Sequence, residues 1–277
     1  MTGRTARRSP RARLDAELVR RGLARSRDQA AELIAAGRVT VHGETAAKAA
    51  TQVTRDAPII VTGDDTDPGY VSRGGHKLAG ALAAFPGLAV AGRACLDAGA
   101  STGGFTDVLL RAGAAHVTTA DVGYGQLAWP LRTDARVTVL DRVNVRSLRP
   151  EQVATPDGRL PDLVVADLSF ISLALVLPAL AGCADAGADF VLLVKPQFEV
   201  GRGRVGAGGV VRDAGSRAGA VASVARAAAA LGLGVSGMAA SPLPGPAGNV
   251  EYFVWLRRGA PPLDDEELRR VIAGGPQ

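Results

Sequence analysis

The sequence predicts an α/β protein in which a small α+β domain precedes a larger domain with a mainly parallel sheet and helices on both faces. Beyond Val71, short apolar runs alternate with helical segments, as in folds that join parallel strands through crossover helices. Most of these runs end in polar or glycine-rich loops. The excess positive charge lies in the first quarter of the chain, which separates that quarter from the rest.

Charge and composition narrow the class of protein. Residues 1–62 carry 12 Lys or Arg and 6 Asp or Glu, whereas the remaining residues carry 20 and 21. A basic domain beside a nearly neutral one indicates a polyanionic partner. The two isolated cysteines suit a reducing cytoplasm and predict no metal site. The charge-free stretch 227–250 contains three prolines and five glycines, so we expect neither a membrane helix nor a membrane partner.

The first domain is predicted to occupy residues 11–63, between a flexible basic arm at 1–10 and a linker at 64–71. Ser26 and Gln29 have the spacing of a capping box, which predicts that a helix begins there and runs to Gly37. A shorter helix precedes it. Strands are expected around residues 39–41 and 59–61, with a turn at His42-Gly43 after the first.

The motifs of this domain resemble a known RNA-binding module. Arg13-Leu14-Asp15, Leu18-Val19, Gly22-Leu23, Ser26-Arg27, Leu33-Ile34 and Gly37 are similar to the small domain named after a small-subunit ribosomal protein. The resemblance implies that arginines of the second helix contact structured RNA, and guanidinium groups suit phosphate oxygens. The candidate RNA-binding residues are Arg4, Arg7, Arg13, Arg21, Arg25, Arg27 and Arg38.

The second domain, residues 72–277, is predicted to contain six strands. We place them at residues 94–97, 116–120, 137–140, 163–166, 190–194 and 251–255. Ligands in open sheets bind at the carboxyl ends of the parallel strands. The first such end is a glycine loop, residues 97–105, and Asp121 ends the next strand 22 residues after Gly99. Glycines let the backbone approach a ligand closely, and an acidic group can accept hydrogen bonds from ribose hydroxyls.

The glycine loop by itself does not identify its ligand. It fits a nicotinamide dinucleotide nearly as well as S-adenosylmethionine. Residues 99–103 also match the Gly-x-Ser-x-Gly turn of hydrolases. That reading fails because His116, at the start of the very next strand, is the one histidine after Ser101, whereas the hydrolase fold needs its histidine late in the chain.

Four charged residues point to a specific chemistry. Asp167 and Lys195 each follow a predicted strand, Glu251 begins the last one, and Lys77 begins the helix that opens the domain. A lysine directly after five apolar strand residues is costly unless it is paired, and the flanking carboxylates of Asp167 and Glu251 would pair it. We refer to Lys77, Asp167, Lys195 and Glu251 as the tetrad. Without the glycine loop, a structural ion-pair cluster would explain them equally well.

The tetrad and its surroundings resemble one methyltransferase family. Lys-Asp-Lys-Glu in this order is similar to the catalytic tetrad of ribose 2′-O-methyltransferases of the FtsJ class. The longer strings resemble the TlyA family of rRNA methyltransferases, historically called hemolysins, and the resemblance spans both domains. These strings are Ser72-Arg73-Gly74-Gly75-His76-Lys77-Leu78, residues 96–105, 121–127, 165–172 and 194–201.

The resemblance implies a Rossmann-like fold and methylation of the cytidine ribose 2′-hydroxyl in ribosomal RNA, 16S and 23S. It implies rRNA or ribosomal subunits as partners, with no obligate protein partner. Lys195 would contact the 2′-oxygen, as a general base or as a stabiliser of oxyanion charge, and both roles stay open because neighbouring carboxylates favour the charged lysine. The candidate contacts to S-adenosylmethionine are Asp97, Gly99, Ala100, Ser101, Thr102, Gly103, Gly104, Phe105, Asp121, Asp141, Arg142, Asn144 and Asp167.

Three other functions compete with this one. A membrane-active cytolysin predicts an amphipathic or spanning apolar segment, and the sequence has none. An RNA-binding protein with an inactive methyltransferase fold would not need all four tetrad positions filled. A dehydrogenase leaves the tetrad unexplained. The glycine-rich stretch 201–209, next to Lys195, is expected to be either a mobile loop that closes over RNA or a plain surface loop.

Overall fold

The computed structural model describes residues 11–24, 26–62 and 68–275. The chain divides into two compact units after Gly69, and the second unit begins at Tyr70. Each unit has its own buried apolar core. Within the described ranges, none of the helices combines the length and the apolar character needed to cross a membrane.

The described part of the first unit contains two helices and five short strands. They are β1 (Arg11–Arg13), α1 (Leu14–Arg20), α2 (Arg27–Ala35), β2 (Val39–Val41), β3 (Glu44–Thr45), β4 (Gln52–Thr54) and β5 (Ile59–Val61). The strands form two antiparallel sheets, one of β1 and β4 and one in the order β3-β2-β5. The two predicted helices, β2 and β5 are confirmed. We did not predict β1, β3 and β4, because these short strands lack the run of β-branched apolar residues that marked β2 and β5.

Local sequence explains where these elements begin and end. The Ser26 hydroxyl accepts a hydrogen bond from the backbone N–H of Gln29 at 3.1 Å, which caps α2 as predicted. His42 and Gly43 turn the chain between β2 and β3 with φ angles of 52° and 85°. Leu14 and Leu18 are fully buried beneath α2, and burying each side chain stabilises the unit by about 1.5–3 kcal/mol.

The second unit is built on a seven-stranded sheet. Its strands are β6 (Ala94–Ala98), β7 (His116–Asp121), β8 (Val137–Asp141), β9 (Leu163–Ala166), β10 (Asp189–Val194), β11 (Leu233–Ala240) and β12 (Tyr252–Arg258). Their order across the sheet is β11-β12-β10-β9-β6-β7-β8. β12 is antiparallel to both of its neighbours, and the other strands run parallel to one another. The predicted mainly parallel α/β fold is therefore confirmed.

Helices cover both faces of this sheet. They are α3 (Gly74–Ala84), α4 (Gly104–Arg111), α5 (Trp129–Arg132), α6 (Pro150–Val153), α7 (Leu173–Gly182), α8 (Pro196–Glu199), α9 (Ala214–Ala229) and α10 (Asp265–Ala273). Apolar residues of α3 and α4 pack with one set of strand side chains, and those of α7, α9 and α10 pack with the alternate set. This division follows from the two-residue period of a strand, which points successive side chains to opposite faces.

All six predicted strands are present, with bounds that differ from the prediction by at most three residues. The edge strand β11 was not predicted, because its glycines interrupt the apolar pattern. Gly234 is required there, since a side chain at this position would collide with the backbone of Ala260 and Pro261. That segment covers the strand and accepts a hydrogen bond from the Val235 N–H at 2.8 Å. The bulge between Val235 and Gly237 further disturbs the alternation.

Candidate active site

The carboxyl ends of the parallel strands gather charged residues at one edge of the sheet. Each of five neighbouring strands contributes one: Asp97 in β6, Asp121 at the end of β7, Asp141 at the end of β8, Asp167 after β9 and Lys195 after β10. Glu251 comes directly before β12, and because β12 is antiparallel, its start lies at the same edge. The topology therefore collects the predicted site residues where open α/β sheets bind ligands.

Lys77 and Glu251 form a buried ion pair. Lys77 Nζ lies 2.5 Å from Glu251 Oε2, and the two side chains are 6% and 0% exposed. Among the described residues, Oε1 of Glu251 has no hydrogen-bond partner. Gly245 packs against that oxygen so closely that a Cβ atom there would come within 2.5 Å of it. Breaking a buried pair of this kind leaves an uncompensated charge, which typically costs about 3–5 kcal/mol.

Two close approaches position the helix that carries Lys77. A side chain at Gly104 would collide with Ser72 and lie 2.8 Å from the Gly75 backbone nitrogen, so glycine lets the start of α4 meet the start of α3. The guanidinium of Arg73 donates a hydrogen bond at 2.7 Å to the carbonyl of Pro244, in the loop that leads to Glu251. The start of α3 is thus fixed to the segment that supplies its partner carboxylate.

Lys195 contacts two groups of the neighbouring loop. Its Nζ lies 2.5 Å from Asp167 Oδ1 and donates a hydrogen bond to Ser169 Oγ at 2.9 Å. Oδ1 of Asp167 accepts no well-directed hydrogen bond from the described residues, so we treat the short contact as an ion pair. The side chains of Lys195 and Asp167 are 10% and 22% exposed, so this pair is more open to solvent than the Lys77–Glu251 pair.

The strand register places the two ion pairs next to each other. Val194 of β10 pairs with Tyr252 of β12. Lys195 follows Val194 and Glu251 precedes Tyr252, so they occupy the next facing positions of this antiparallel pair. The structure therefore brings the four tetrad positions to one place as two lysine–carboxylate pairs. The expectation that both Asp167 and Glu251 pair with Lys195 is corrected, because Glu251 pairs with Lys77.

Two glycines of the glycine loop are required by contacts within the protein. Gly99 and Gly103 have φ angles of 86° and 96°, which favour glycine. A Cβ at Gly99 would lie 2.6 Å from the carbonyl oxygen of Asp167, and one at Gly103 would collide with Leu127 and Leu131. The close approach of these glycines to a ligand stays a prediction.

Asp97 is the buried acid of the glycine loop. Its Oδ2 accepts a hydrogen bond from the Thr106 hydroxyl at 2.6 Å, and its Oδ1 is buried with no partner among the described residues. Burial, together with the smaller effect of the negative charges of Asp167 and Asp121, raises the pKa of Asp97 to about 7. Three carboxylates thus act on one another around the loop, which favours a cationic ligand over an anionic one.

The other loop residues divide between the core and the surface. Ala100 and Phe105 are buried in the core that α3 and α4 cover, whereas Ser101 and Thr102 are exposed. The Asp121 carboxylate accepts hydrogen bonds from the backbone N–H groups of Ser101 and Gly123 at 2.9 and 2.7 Å. These bonds hold the loop against the end of β7 and leave lone pairs free for ribose hydroxyls.

The three predicted cofactor contacts at and after the end of β8 make internal interactions. Asp141 accepts a hydrogen bond from Arg132 at 2.9 Å, which lowers the pKa of the Asp141 carboxyl. Arg142 stacks over the ring of Tyr124 at 4.2 Å, and Asn144 caps the following turn by accepting from the Arg146 N–H at 3.0 Å. Their contact with a cofactor stays a prediction.

Two residues that the sequence did not single out belong to this site. Ser169 is the second partner of Lys195. Phe170 is 91% exposed and has a φ angle of 65°, which is unusual for a bulky residue, and its ring centroid lies 5.2 Å from that of Phe198. Both lie in a motif that the resemblance had marked, but only the structure shows the contact and the exposure.

The glycine-rich stretch after Lys195 is attached at its far end to the segment before β12. We call residues 201–213 the arginine loop, because Arg202, Arg204 and Arg212 lie in it. The buried side chain of Asn249 accepts a hydrogen bond from the Val211 N–H and donates one to the Gly209 carbonyl, both at 2.9 Å. Val211 is buried as well. Asn249 therefore fixes the end of the loop to the segment that carries Glu251.

The predicted RNA-binding arginines of the first unit make several contacts within it. Arg13 and Arg27 both bind Asp15, at 2.8 and 3.0 Å, and keep 45% and 58% of their side chains exposed. The hydrogen bond from Arg13 is the main reason why the pKa of Asp15 lies well below its usual range. Arg38 donates to the Thr62 carbonyl at 3.0 Å.

Arg21 differs from these arginines. Its guanidinium binds Glu17 at 2.8 Å and the carbonyls of Arg55 and Ala57 at 2.8 and 2.7 Å, and its side chain is 21% exposed. It acts as an internal clamp, and RNA binding by it stays a prediction. Arg4, Arg7 and Arg25 lie outside the described residues.

The second unit has the fold of an FtsJ-like methyltransferase, and the model of that family matches residues 70–258. An S4 domain model matches residues 12–59. The chain belongs to the TlyA family. It is 62% identical to the 16S/23S rRNA (cytidine-2′-O)-methyltransferase TlyA of Mycobacterium tuberculosis, over 96% of this chain and 99% of that protein. It is 36% identical to Hemolysin A of Brachyspira hyodysenteriae, over 87% of this chain and 98% of that protein.

A solved structure agrees with this membership. "Putative hemolysin from Streptococcus thermophilus" superimposes with a TM-score of 0.75 at 38% sequence identity, and the match covers 96% of each chain. The predicted family, the predicted fold class and the prediction that the protein is a methyltransferase are confirmed.

Proposed function

We propose that this protein transfers a methyl group from S-adenosylmethionine to the ribose 2′-hydroxyl of a cytidine in ribosomal RNA. The observation that carries the proposal is the adjacent placement of two lysine–carboxylate pairs, Lys77–Glu251 and Lys195–Asp167, at the ligand-binding edge of the sheet. The protein would act in the cytoplasm on rRNA or on a ribosomal subunit, without a membrane or an obligate protein partner.

The acidic residues in and around the glycine loop favour S-adenosylmethionine over a dinucleotide. S-adenosylmethionine carries a sulfonium and an ammonium group, whereas a nicotinamide dinucleotide brings a pyrophosphate dianion. Asp97, Asp121 and Asp167 are close enough for the charges of the latter two to raise the pKa of the first. A cation relieves this repulsion and a dianion increases it. Oδ1 of Asp97, which has no hydrogen-bond partner in the described part of the chain, is one acceptor that a bound cation would use.

The reaction needs positioning and help with one proton. When bound, S-adenosylmethionine supplies an electrophilic methyl group that requires no metal. The ribose 2′-hydroxyl is a poor nucleophile near neutral pH, so it must be held in line and its proton must leave. Lys195 is the candidate for this step, because its Nζ lies at the mouth of the site between Asp167 and Ser169. Asp167 and Ser169 would hold Nζ in place while it contacts the 2′-oxygen.

Lys77 and Glu251 would fix the ribose rather than move its proton. The pair is almost fully buried, so it is poorly placed to exchange protons with solvent. Glu251 faces Lys195 in the strand register, so the rigid ion pair would orient the ribose next to Lys195.

Features outside the tetrad support an RNA substrate. The exposed ring of Phe170 follows Ser169, where an unstacked base can pack on it, and aromatic stacking is how proteins hold splayed-out RNA bases. The first unit presents the exposed guanidinium groups of Arg13 and Arg27, which suit phosphate oxygens.

Modification of both ribosomal subunits rests on the extent of the similarity. The relative whose name includes 16S and 23S rRNA matches this chain over 99% of its own length. A relative named for 23S rRNA alone, from Campylobacter jejuni, matches at 35% identity over 67% of this chain and 70% of its own length. The longer match supports the broader substrate range, so we propose both 16S and 23S rRNA.

Calorimetry and a methylation assay test the proposal together. S-adenosylmethionine should bind and a nicotinamide dinucleotide should not. With a labelled methyl donor, rRNA should become labelled, and a fragment with 2′-deoxycytidine at the acceptor position should not. Label on the deoxy fragment would place the methyl group on the base and contradict the ribose assignment. Lysis of erythrocytes without methyl transfer would favour the cytolysin reading instead.

A further inference from the structure

The backbone pairing of β9 with β10 ends before it reaches the catalytic positions. Its last paired residues are Ala166 and Leu192. Asp167 and Lys195 both lie beyond this point, on loops that leave neighbouring strands. The pairing of these two strands therefore does not itself link the two loops. Each loop is held to a different strand, because the Asp167 N–H donates to the Ala98 carbonyl of β6 at 3.1 Å and Val194 pairs with Tyr252 of β12. A flexible lysine side chain cannot by itself fix the distance between the loops beyond these points.

A second link joins the same two loops. Glu199 ends the short helix α8, which begins directly after Lys195. Its carboxylate accepts a hydrogen bond from the Ser172 hydroxyl at 2.5 Å and one from the Leu173 N–H at 2.8 Å. Ser172 and Leu173 begin α7, at the end of the loop that starts with Asp167. The loops are thus connected at both ends, by the Lys195 contacts and by Glu199.

We propose that Glu199 is a positioning residue for methyl transfer, which keeps the Lys195 loop against the Asp167 loop so that Lys195 Nζ stays in contact with Asp167 and Ser169. The inference rests on the proposed function and adds a residue to it. Glu199 does not reach the reacting atoms and acts through Lys195.

Helix capping alone does not account for Glu199. The Ser172 side chain already caps α7, because its Oγ accepts a hydrogen bond from the Ala174 N–H at 3.2 Å. Burial raises the pKa of Glu199, so placing a carboxylate here carries a desolvation cost. What the carboxylate adds is the connection between two loops, which neither the sheet nor the Ser172 cap supplies.

The direct test is the effect of Glu199 substitutions on steady-state methylation of rRNA. Glu199→Ala removes both bonds and should lower kcat by about 10- to 100-fold, since a displacement of about 1 Å at a catalytic group can cost 10²-fold. The KM for S-adenosylmethionine should change by less than about twofold. Glu199→Gln should keep kcat within about threefold of wild type, because its amide can accept from Leu173 N–H and donate to Ser172 Oγ.

Asp264→Ala is the matched control. Asp264 caps α10 by accepting hydrogen bonds from the N–H groups of Glu266 and Glu267 at 2.7 and 2.9 Å, so its removal also costs a carboxylate cap. This variant should lose thermal stability and keep its kcat. A Glu199→Ala enzyme with wild-type kcat, or with a loss confined to stability as in Asp264→Ala, overturns the proposal.

Misfolding of the Glu199→Ala variant and failure of the proposed function can each be told apart from failure of this inference. If Glu199→Ala does not fold, Ser172→Ala replaces it and should lower kcat by about three- to tenfold. Wild-type kcat in Ser172→Ala then overturns the inference. If the wild-type protein itself transfers no methyl group to rRNA, the proposed function fails, whereas an active wild type with an unaffected Glu199→Ala variant contradicts only the role of Glu199.

Discussion

At the residue scale, substitutions of Lys195 distinguish its two possible roles, general base and stabiliser of the developing oxyanion. Lys195→Ala should lose about 10²–10⁴-fold in kcat, the usual cost of removing a general acid–base group, while S-adenosylmethionine binding is kept. Lys195→Arg should also fail, because a guanidinium keeps its proton and has a different reach. Single-turnover methylation of rRNA measures both. If Lys195→Arg kept most of its activity, the residue would supply only positive charge to the developing oxyanion.

Asp97 should make cofactor binding depend on pH. Its pKa is raised to about 7, so the carboxyl is largely neutral at pH 6 and ionised at pH 8. A cationic ligand prefers the ionised form, so the affinity for S-adenosylmethionine should rise by about tenfold over this range. Calorimetry on wild type and Asp97→Asn tests this. The variant should bind weakly with little pH dependence, and an unchanged wild-type affinity between pH 6 and 8 would contradict the account.

The same shift predicts an effect on stability. Because the pKa of Asp97 is higher in the folded than in the unfolded state, protonated Asp97 contributes to the free energy of unfolding. This contribution is fully present below about pH 4, near the pKa of the unfolded state, and is lost as the pH rises towards 7, the pKa of the folded state. Without ligand, Asp97→Asn should therefore unfold at a higher temperature than wild type at pH 8, and the difference should shrink towards pH 4. The amide oxygen can still accept the hydrogen bond from Thr106.

At the scale of elements, the arginine loop and the start of β12 are joined through one amide. Asn249→Asp should break this joint, because a carboxylate can accept from the Val211 N–H but repels the Gly209 carbonyl. A buried polar group left without its partner costs about 1–3 kcal/mol. The expected readout is faster tryptic cleavage in the arginine loop. Gln152→Ala, which removes a side-chain amide that caps α6, is the matched control and should leave that cleavage rate unchanged.

The sequence predicted elements well where period and capping were strong, and poorly where tertiary contacts decide. Six strands of the main sheet were found because each is a short run rich in apolar or β-branched residues. β11 was missed because the covering segment at Ala260 demands glycine in the strand. The four tetrad positions could also be predicted, from their residue types and their order along the chain. The contacts of Lys195 with Ser169 and of Glu199 with Ser172 were out of reach, because they join segments that only the folded sheet brings together.

At the scale of the whole molecule, we expect the basic first unit to bind RNA and the second unit to transfer the methyl group. The first unit should supply RNA affinity, so replacing both Arg27 and Arg38 by Ala should weaken rRNA binding and leave S-adenosylmethionine affinity intact. Log affinity falls as log salt rises, and each lost phosphate contact should make this negative slope less steep by about 0.7–0.9. Arg159→Ala, an exposed arginine of the second unit, should leave the slope unchanged. An unchanged slope in the double variant would count against the first unit as the RNA clamp.

The most direct test of the central claim is mass-spectrometric mapping of ribosomal RNA nucleosides from cells with and without this protein. We predict 2′-O-methylcytidine in both 16S and 23S rRNA when the wild-type protein is present. The modification should be absent without the protein and absent again with the Lys195→Ala variant. Identical nucleoside maps in all three strains, or a methyl group located on a base, would contradict the assignment of this chain as a ribose 2′-O-methyltransferase.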